Sequence, residues 1–142
     1  MNYFTVDILT PSKIVAKNVP ADSLLVPTIQ GQINVLPNHT HIVSKLTTGM
    51  LTVFGGADYA DRYFTITTGV CKVLEDKVII MSNVSEESFE IDVDRAKEAL
   101  KTAEERLKNT EGLSDEEIEK YSRKVERAKL RIQMADFVRT RN

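Results

Sequence analysis

The sequence predicts an α+β protein, with an N-terminal all-β sandwich over residues 1–90 followed by a C-terminal antiparallel two-helix hairpin over residues 91–142. Three observations predict it. Up to residue 90, short apolar runs are separated by Gly, Pro and Asn at about the eight-to-twelve-residue rhythm of strands and turns. Beyond it, apolar residues recur three and four apart, the period of a helix face. Charge is partitioned too: residues 1–90 carry nine acidic and six basic side chains, and residues 91–142 carry twelve and thirteen in little more than half the length. Dense charge of both signs is what the solvated faces of a helical hairpin need.

Composition narrows the function classes. A chain of 142 residues is long enough for one domain with a proper core, or for a smaller domain plus an appendage, but not for two large domains. A formal net charge of −2 argues against general nucleic-acid binding, which calls for a basic surface. Cys71 is the only cysteine, so no internal disulfide or thiolate metal cluster is available. Its setting, Gly69-Val70-Cys71-Lys72-Val73, reads as a strand rather than as the surroundings of a nucleophile. Met1-Asn2-Tyr3-Phe4 shows no basic region leading into an apolar one, so no secretory signal is expected. No run approaches the roughly 18 apolar residues of a membrane span.

The strands follow in order. Tyr3–Leu9 alternates as a half-buried strand does, and Thr10-Pro11-Ser12 stops it. Lys13–Lys17 and Ser23–Pro27 are two further strands around a turn at Asn18–Asp22. Thr28–His41 holds the densest turn chemistry: Gly31 and Asn34 tolerate positive φ, and Pro37-Asn38 favours a tight turn, so a hairpin followed by a corner is expected. Ile42–Leu46, Gly49–Phe54, Arg62–Thr67, Val70–Leu74 and Lys77–Met81 complete the series. Gly55-Gly56 reads as a hairpin tip, because no helix follows to make it a phosphate cradle. His39 and His41 would share a face of a strand, but a third ligand and an HExxH-type spacing are missing, so turn and surface histidines are expected in place of a metal site.

The helices are written more plainly. Val93, Ala96, Leu100, Ala103 and Leu107 form one apolar stripe, and Ile118, Tyr121, Val125, Ala128, Ile132 and Ala135 form another. Asn109–Leu113 connects them, with Gly112 available for a C-cap, and so short a link makes the helices antiparallel. Ser114 with Glu117 is a capping box, and Leu113 can staple to Ile118. Alanines in both stripes permit close approach but bury little area, at roughly 25 cal/mol per Å², so the hairpin should pack weakly and be able to rearrange. Leu130, Met134, Phe137 and Val138 lie off the seam and call for a second surface, either the β domain or a partner.

Two readings compete at Ile91-Asp92-Val93-Asp94-Arg95-Ala96. Capping accounts for most of it: Asp92 is the N-cap, Ile91 the residue before it, Ala96 its contact one turn on, and Asp94 complements the helix dipole. Arg95 is left over, a cation in the first turn. On the second helix Arg123, Arg127 and Arg131 are spaced by four, and the segment from Arg123 onward carries seven basic and two acidic residues. Like charges so spaced repel by a few tenths of a kcal/mol unless an anion lies between them. The row is either a solvated face paired with Glu119, Glu126 and the first helix, or an anion site that uses Arg95.

Three segments taken together resemble a known family. Gly31-Gln32-Ile33-Asn34-Val35-Leu36-Pro37-Asn38-His39 is similar to G-[QE]-[IL]-G-[IV]-L-P-x-H; Ile91–Ala96 matches I/L-D-x-x-R-A; Arg127-Ala128-Lys129-Leu130-Arg131 matches R-A-x-x-R. In this order, across a β-to-helix boundary, they resemble the epsilon subunits of bacterial and plastid F-type ATP synthases over the full length of the chain. Asn34 departs from the family's usual Gly, and Asn is the next-best residue for positive φ.

The resemblance implies a non-catalytic rotor subunit. Its sandwich would bind the gamma subunit near the c-ring, and its helices would fold back or extend along gamma into the alpha/beta catalytic head, where they hinder ATP hydrolysis. The protein would be peripheral to the membrane through the complex, on the cytoplasmic face of a bacterial inner membrane or the stromal side of a plastid thylakoid. No cofactor is required. ATP is a candidate regulatory ligand of the folded hairpin, and the matched positions are Ile91, Asp92, Arg95, Ala96, Arg127 and Arg131, with Glu86 placed only by its distance before the motif. Two alternatives remain: a β-domain adaptor with a mobile helical arm in an unrelated complex, and a small enzyme built on His39 and His41. Against the second, the sequence holds no P-loop, no nucleophile with a base and no strong ligand set.

Overall fold

A computed structural model describes residues 3–37 and 41–141 of the chain, which divides into two units, Met1–Ser88 and Phe89–Asn142. The described part of the first unit is a β-sandwich of nine strands: β1 (Phe4–Leu9), β2 (Ile14–Ala21), β3 (Ser23–Thr28), β4 (Gly31–Val35), β5 (Ile42–Leu46), β6 (Gly49–Phe54), β7 (Arg62–Ile66), β8 (Gly69–Val73) and β9 (Lys77–Ser82). Hydrogen bonding runs in the order β2-β1-β9-β8-β5-β3-β6-β7, with β4 on β3. All pairs are antiparallel except β1 with β9. Strand β5 touches β3 through the single pair Thr28 and Leu46, the corner where one layer gives way to the other. Val6, Ile8, Leu24, Val26, Leu51, Val53, Phe64, Ile66, Cys71 and Ile80 are fully buried in the core between the layers.

Strand β2 runs further than the turn chemistry at Asn18–Asp22 predicts. Its pairing with β1 jumps from Val19 opposite Val6 to Ala16 opposite Ile8, which leaves one extra residue on β2. Such a bulge needs an unusual conformation, and Asn18 supplies it at φ 54°. The buried Asp7 holds it there by accepting the Asn18 backbone N–H at 2.8 Å, while Lys77 Nζ reaches Asp7 Oδ2 at 3.1 Å and Asn18 Oδ1 at 3.0 Å. Pro20 is tolerated beyond the bulge because β2 is an edge strand and needs no outward donor.

The Thr28–Gly31 turn also differs in detail. Gly31 takes the positive φ, 109°, whereas Asn34 lies in β4 opposite Leu25 and takes none. A left-handed conformation is therefore not required of Asn34. The Gly55-Gly56 tip stands between β6 and β7 as expected, with the Tyr59 N–H donating to the Gly55 carbonyl.

The chain leaving β9 is fastened along the outer edge of β7. Val84 N–H donates to Thr67 Oγ1 at 3.0 Å, Glu86 N–H to Thr65 Oγ1 at 2.9 Å, and Thr65 N–H to the Glu86 carbonyl at 2.9 Å. Arg62 then grips the buried Glu87 carboxylate through two bonds of 2.8 and 2.6 Å, with its guanidinium 5.5 Å from the Phe64 ring. Every residue from Val84 to Glu87 except Ser85 thus has a named tie to β7 or the residue that follows it. The junction Ile91–Ala96 begins only after this fastening ends.

The second unit has a short 3₁₀ turn at Ser88–Glu90 leading into it, then α1 (Val93–Lys108) and α2 (Asp115–Arg141) packed on each other as a hairpin. Asp92 caps α1 by accepting the Arg95 N–H at 3.1 Å. Ser114 and Glu117 form the expected reciprocal box at the start of α2: Glu117 N–H donates to Ser114 Oγ at 3.2 Å, and Ser114 N–H donates to Glu117 Oε1 at 3.3 Å. Gly112 is not the C-cap, a position Asn109 holds. It occupies the third place of a Thr110–Leu113 turn at φ 84°, where the Leu113 N–H donates to the Thr110 carbonyl, the geometry of a type II turn. Ala96, Ala103 and Ala128 are buried, so the small residues of the two stripes do meet at the seam, and Met134, expected off the seam, is buried as well.

Candidate functional site: a cationic groove in the helical hairpin

Small side chains shape the site. Alanines at 99, 103 and 128 cannot fill the space between α1 and α2, and an open groove of about 440 Å³ remains. Its walls are Arg95, Glu98 and Thr102 from α1, and Tyr121, Lys124, Arg127 and Arg131 from α2. Four cations face one carboxylate, three positive charges in excess. Guanidinium groups match phosphate and carboxylate oxygens bidentately, so the side chains gathered here have the chemistry an anionic ligand would use.

The helix geometry explains the convergence. Arg95 sits in the first turn of α1 because Asp92 caps that turn through its backbone N–H, which leaves its side chain available to the groove. Arg127 and Arg131 are one turn apart on α2 and half-buried. Among the described residues no carboxylate ion-pairs with Arg95 or Arg127 within 4.0 Å. Arg123 belongs to the solvated face instead: it pairs with Glu119 at 3.6 Å and is 65% exposed. The row of arginines is thus divided, with its first member a surface ion pair and the other two in the groove.

The remaining positions matched by the family motif have other surroundings. Asp92 is a capping residue, Ile91 is half-buried beside it, and Ala96 is buried with its N–H donating to the Asp92 carbonyl. Glu86 belongs to the β unit, where its backbone pairs with Thr65. The groove in turn includes residues outside the motifs: Glu98, Thr102, Tyr121 and Lys124. Their signal is in the spacing, since Lys124 stands three before Arg127 and seven before Arg131, and Glu98 stands three after Arg95. Tyr121 gathers cations around its ring, with Arg106 and Lys124 each 5.5 Å from the centroid and Lys120 at 5.9 Å.

Other sequence candidates resolve differently. Cys71 is fully buried in β8, and burial pushes its thiol up to about 11, far from thiolate reactivity. His39 lies outside the described residues, and His41 is exposed. Among the described residues no group of three or more His, Cys, Asp or Glu is placed to hold a metal ion, and no helix is long and apolar enough to cross a membrane.

Comparison with known proteins accounts for both units. Residues 3–88 match the beta-sandwich domain of the ATP synthase delta/epsilon chain, and residues 90–136 match the long alpha-helix domain of the same chain. The ATP synthase epsilon chain of Persephonella marina is 33% identical over 93% of this chain and 96% of its own length. That of Staphylococcus aureus strain JH9 is 33% identical over 96% and 99%. That of Anaeromyxobacter sp. strain K is 36% identical over 92% and 96%. The fold is shared with a chain in the structure of the Euglena gracilis mitochondrial ATP synthase OSCP/F1/c-ring, at a TM-score of 0.72 with 19% identity, covering 89% of this chain and 77% of that one. The chain belongs to the epsilon-subunit family of the F-type ATP synthases.

Proposed function

We propose that this epsilon-family chain is a non-catalytic central-stalk subunit that couples gamma to the c-ring through its sandwich and restrains ATP hydrolysis through its helical hairpin, with ATP as a regulatory ligand that stabilises the folded hairpin. The observation that carries the ATP reading is the convergence of Arg95, Arg127 and Arg131, from two separate motifs, on one groove between α1 and α2. Phosphates bound there would tie the two helices together. With ATP absent, the same helices would turn these cations toward acidic surfaces on the catalytic head. The Ala-rich seam supports the switch, because little apolar area resists opening.

The mechanism is a shift of population, so ATP must bind the folded hairpin better than the extended arm. The β unit has its own core and is fastened through Glu87, which makes it a base from which the helices can act. Reconstituting the ATPase head with the full chain, and with a chain truncated after residue 90, tests the inhibitory role. The truncated chain should leave hydrolysis faster and insensitive to the helices; equal rates would remove the inhibitory part of the proposal. An adaptor in an unrelated complex would fail to co-purify with the head.

A further inference from the structure

Glu98 is the one carboxylate lining a groove otherwise walled by Arg95, Lys124, Arg127 and Arg131. It is exposed, and among the described residues no cation comes within ion-pair distance of it. The carboxylate is therefore not consumed in neutralising a neighbour. It contributes a negative charge to the space an anion would enter. The cations extend from Lys124 to Arg131, seven residues or about 10 Å along α2 at a rise of ~1.5 Å per residue. A row of that length engages several anionic groups in series, and Glu98 stands across from it on α1.

We propose that Glu98 governs the anion affinity of this groove: it repels each bound phosphate, weakens binding in proportion to ligand charge, and so sets the ligand concentration at which the hairpin is held closed, while Lys124 is a further phosphate contact beyond the motif arginines. This rests on the nucleotide reading of the groove given above, and it adds the residue that determines how strongly the groove responds. A like charge facing a ligand in a solvent-open site acts at the scale of an exposed ion pair, about 1.5- to fivefold in affinity for each contact, and contacts with several phosphates multiply.

The test is calorimetric titration of ATP, AMP and inorganic tripolyphosphate into the full chain as wild type, Glu98→Gln, Glu98→Asp and Lys124→Ala. Glu98→Gln should bind ATP and tripolyphosphate roughly three- to tenfold more tightly, with a smaller gain for AMP. Glu98→Asp, which keeps the charge, should stay near wild type, and Lys124→Ala should weaken the triphosphates several-fold. A gain independent of ligand charge, or shared by Glu98→Asp, would mean that Glu98 acts on helix stability and would overturn the proposal. Unchanged or weaker binding by Glu98→Gln would overturn it while leaving wild-type ATP binding intact. If wild type binds no ATP and Glu98→Gln does, the governing role stands and ATP sensing by the natural chain falls. Binding by neither variant nor wild type removes both.

Discussion

Replacing Arg62 with Ala strikes the fastening that ends the β unit. The substitution removes two charge-assisted hydrogen bonds, 2.8 and 2.6 Å long, from Glu87, whose side chain is 8% exposed. A bond to a charged group is worth about 1.5–3 kcal/mol, and breaking a wholly buried pair costs about 3–5. The Arg62 side chain is 38% exposed, so solvent screens its half of the pair, and the lost contact with the Phe64 ring adds only about 0.5 kcal/mol. The expected loss is about 2 kcal/mol. With a urea dependence of roughly 1–2 kcal/mol per M for a domain of this size, the unfolding midpoint of the β unit should fall by about 1–2 M. Hydrogen exchange should locate the damage, with the amides of Thr65, Val84 and Glu86 opening sooner than those of β1 and β9. A midpoint shift below about 0.3 M, with exchange at these amides unchanged, would show that Glu87 is held by other contacts and that the pair does not define where the junction begins.

Two further predictions concern stability. Burial raises the Asp7 carboxyl, but the Asn18 N–H and Lys77 outweigh it and hold the group below its ordinary value. A depressed folded value stabilises above the unfolded pKa and is lost as pH falls through the folded one. Urea unfolding of wild type and Asp7→Asn should therefore differ most near neutral pH, and the gap should close below about pH 4; a gap constant down to acid pH would contradict this. Ser114→Ala removes the capping box and should cost α2 about 1 kcal/mol, read as lost helicity near residues 114–118 by exchange, with the β unit unaffected.

The helical elements were legible because their signals are local. Asp92, Ser114 and Glu117 each act on a backbone group within three residues, so their identity and spacing suffice. The bulge at Asn18 was hidden because its cause is remote: Asp7 on the neighbouring strand and Lys77 on β9 hold it. A local window shows only Asn, Pro and Asp, which also spell a turn. Asn34 was misplaced for the opposite reason, since its tolerance of positive φ permits a turn without demanding one, and Gly31 took that role. In the groove, the motifs and the four-residue period singled out Arg95, Arg127 and Arg131. The motifs left Arg123 out, whereas the period alone could not, since its fate depends on Glu119 one turn earlier; Glu98 and Lys124 share a helix face with the arginines by spacing, but their meeting in one groove depends on α1 lying against α2.

The central claim is that the groove of the folded hairpin binds ATP through the cations that converge on it. Titrating ATP into the full-length chain, as wild type and as Arg95→Ala, tests it most directly. The account predicts saturable one-to-one binding by wild type, weakened about tenfold or more in Arg95→Ala as a charge-assisted phosphate contact is lost. Heats that do not saturate at millimolar ATP, or equal affinity in the two proteins, would contradict it.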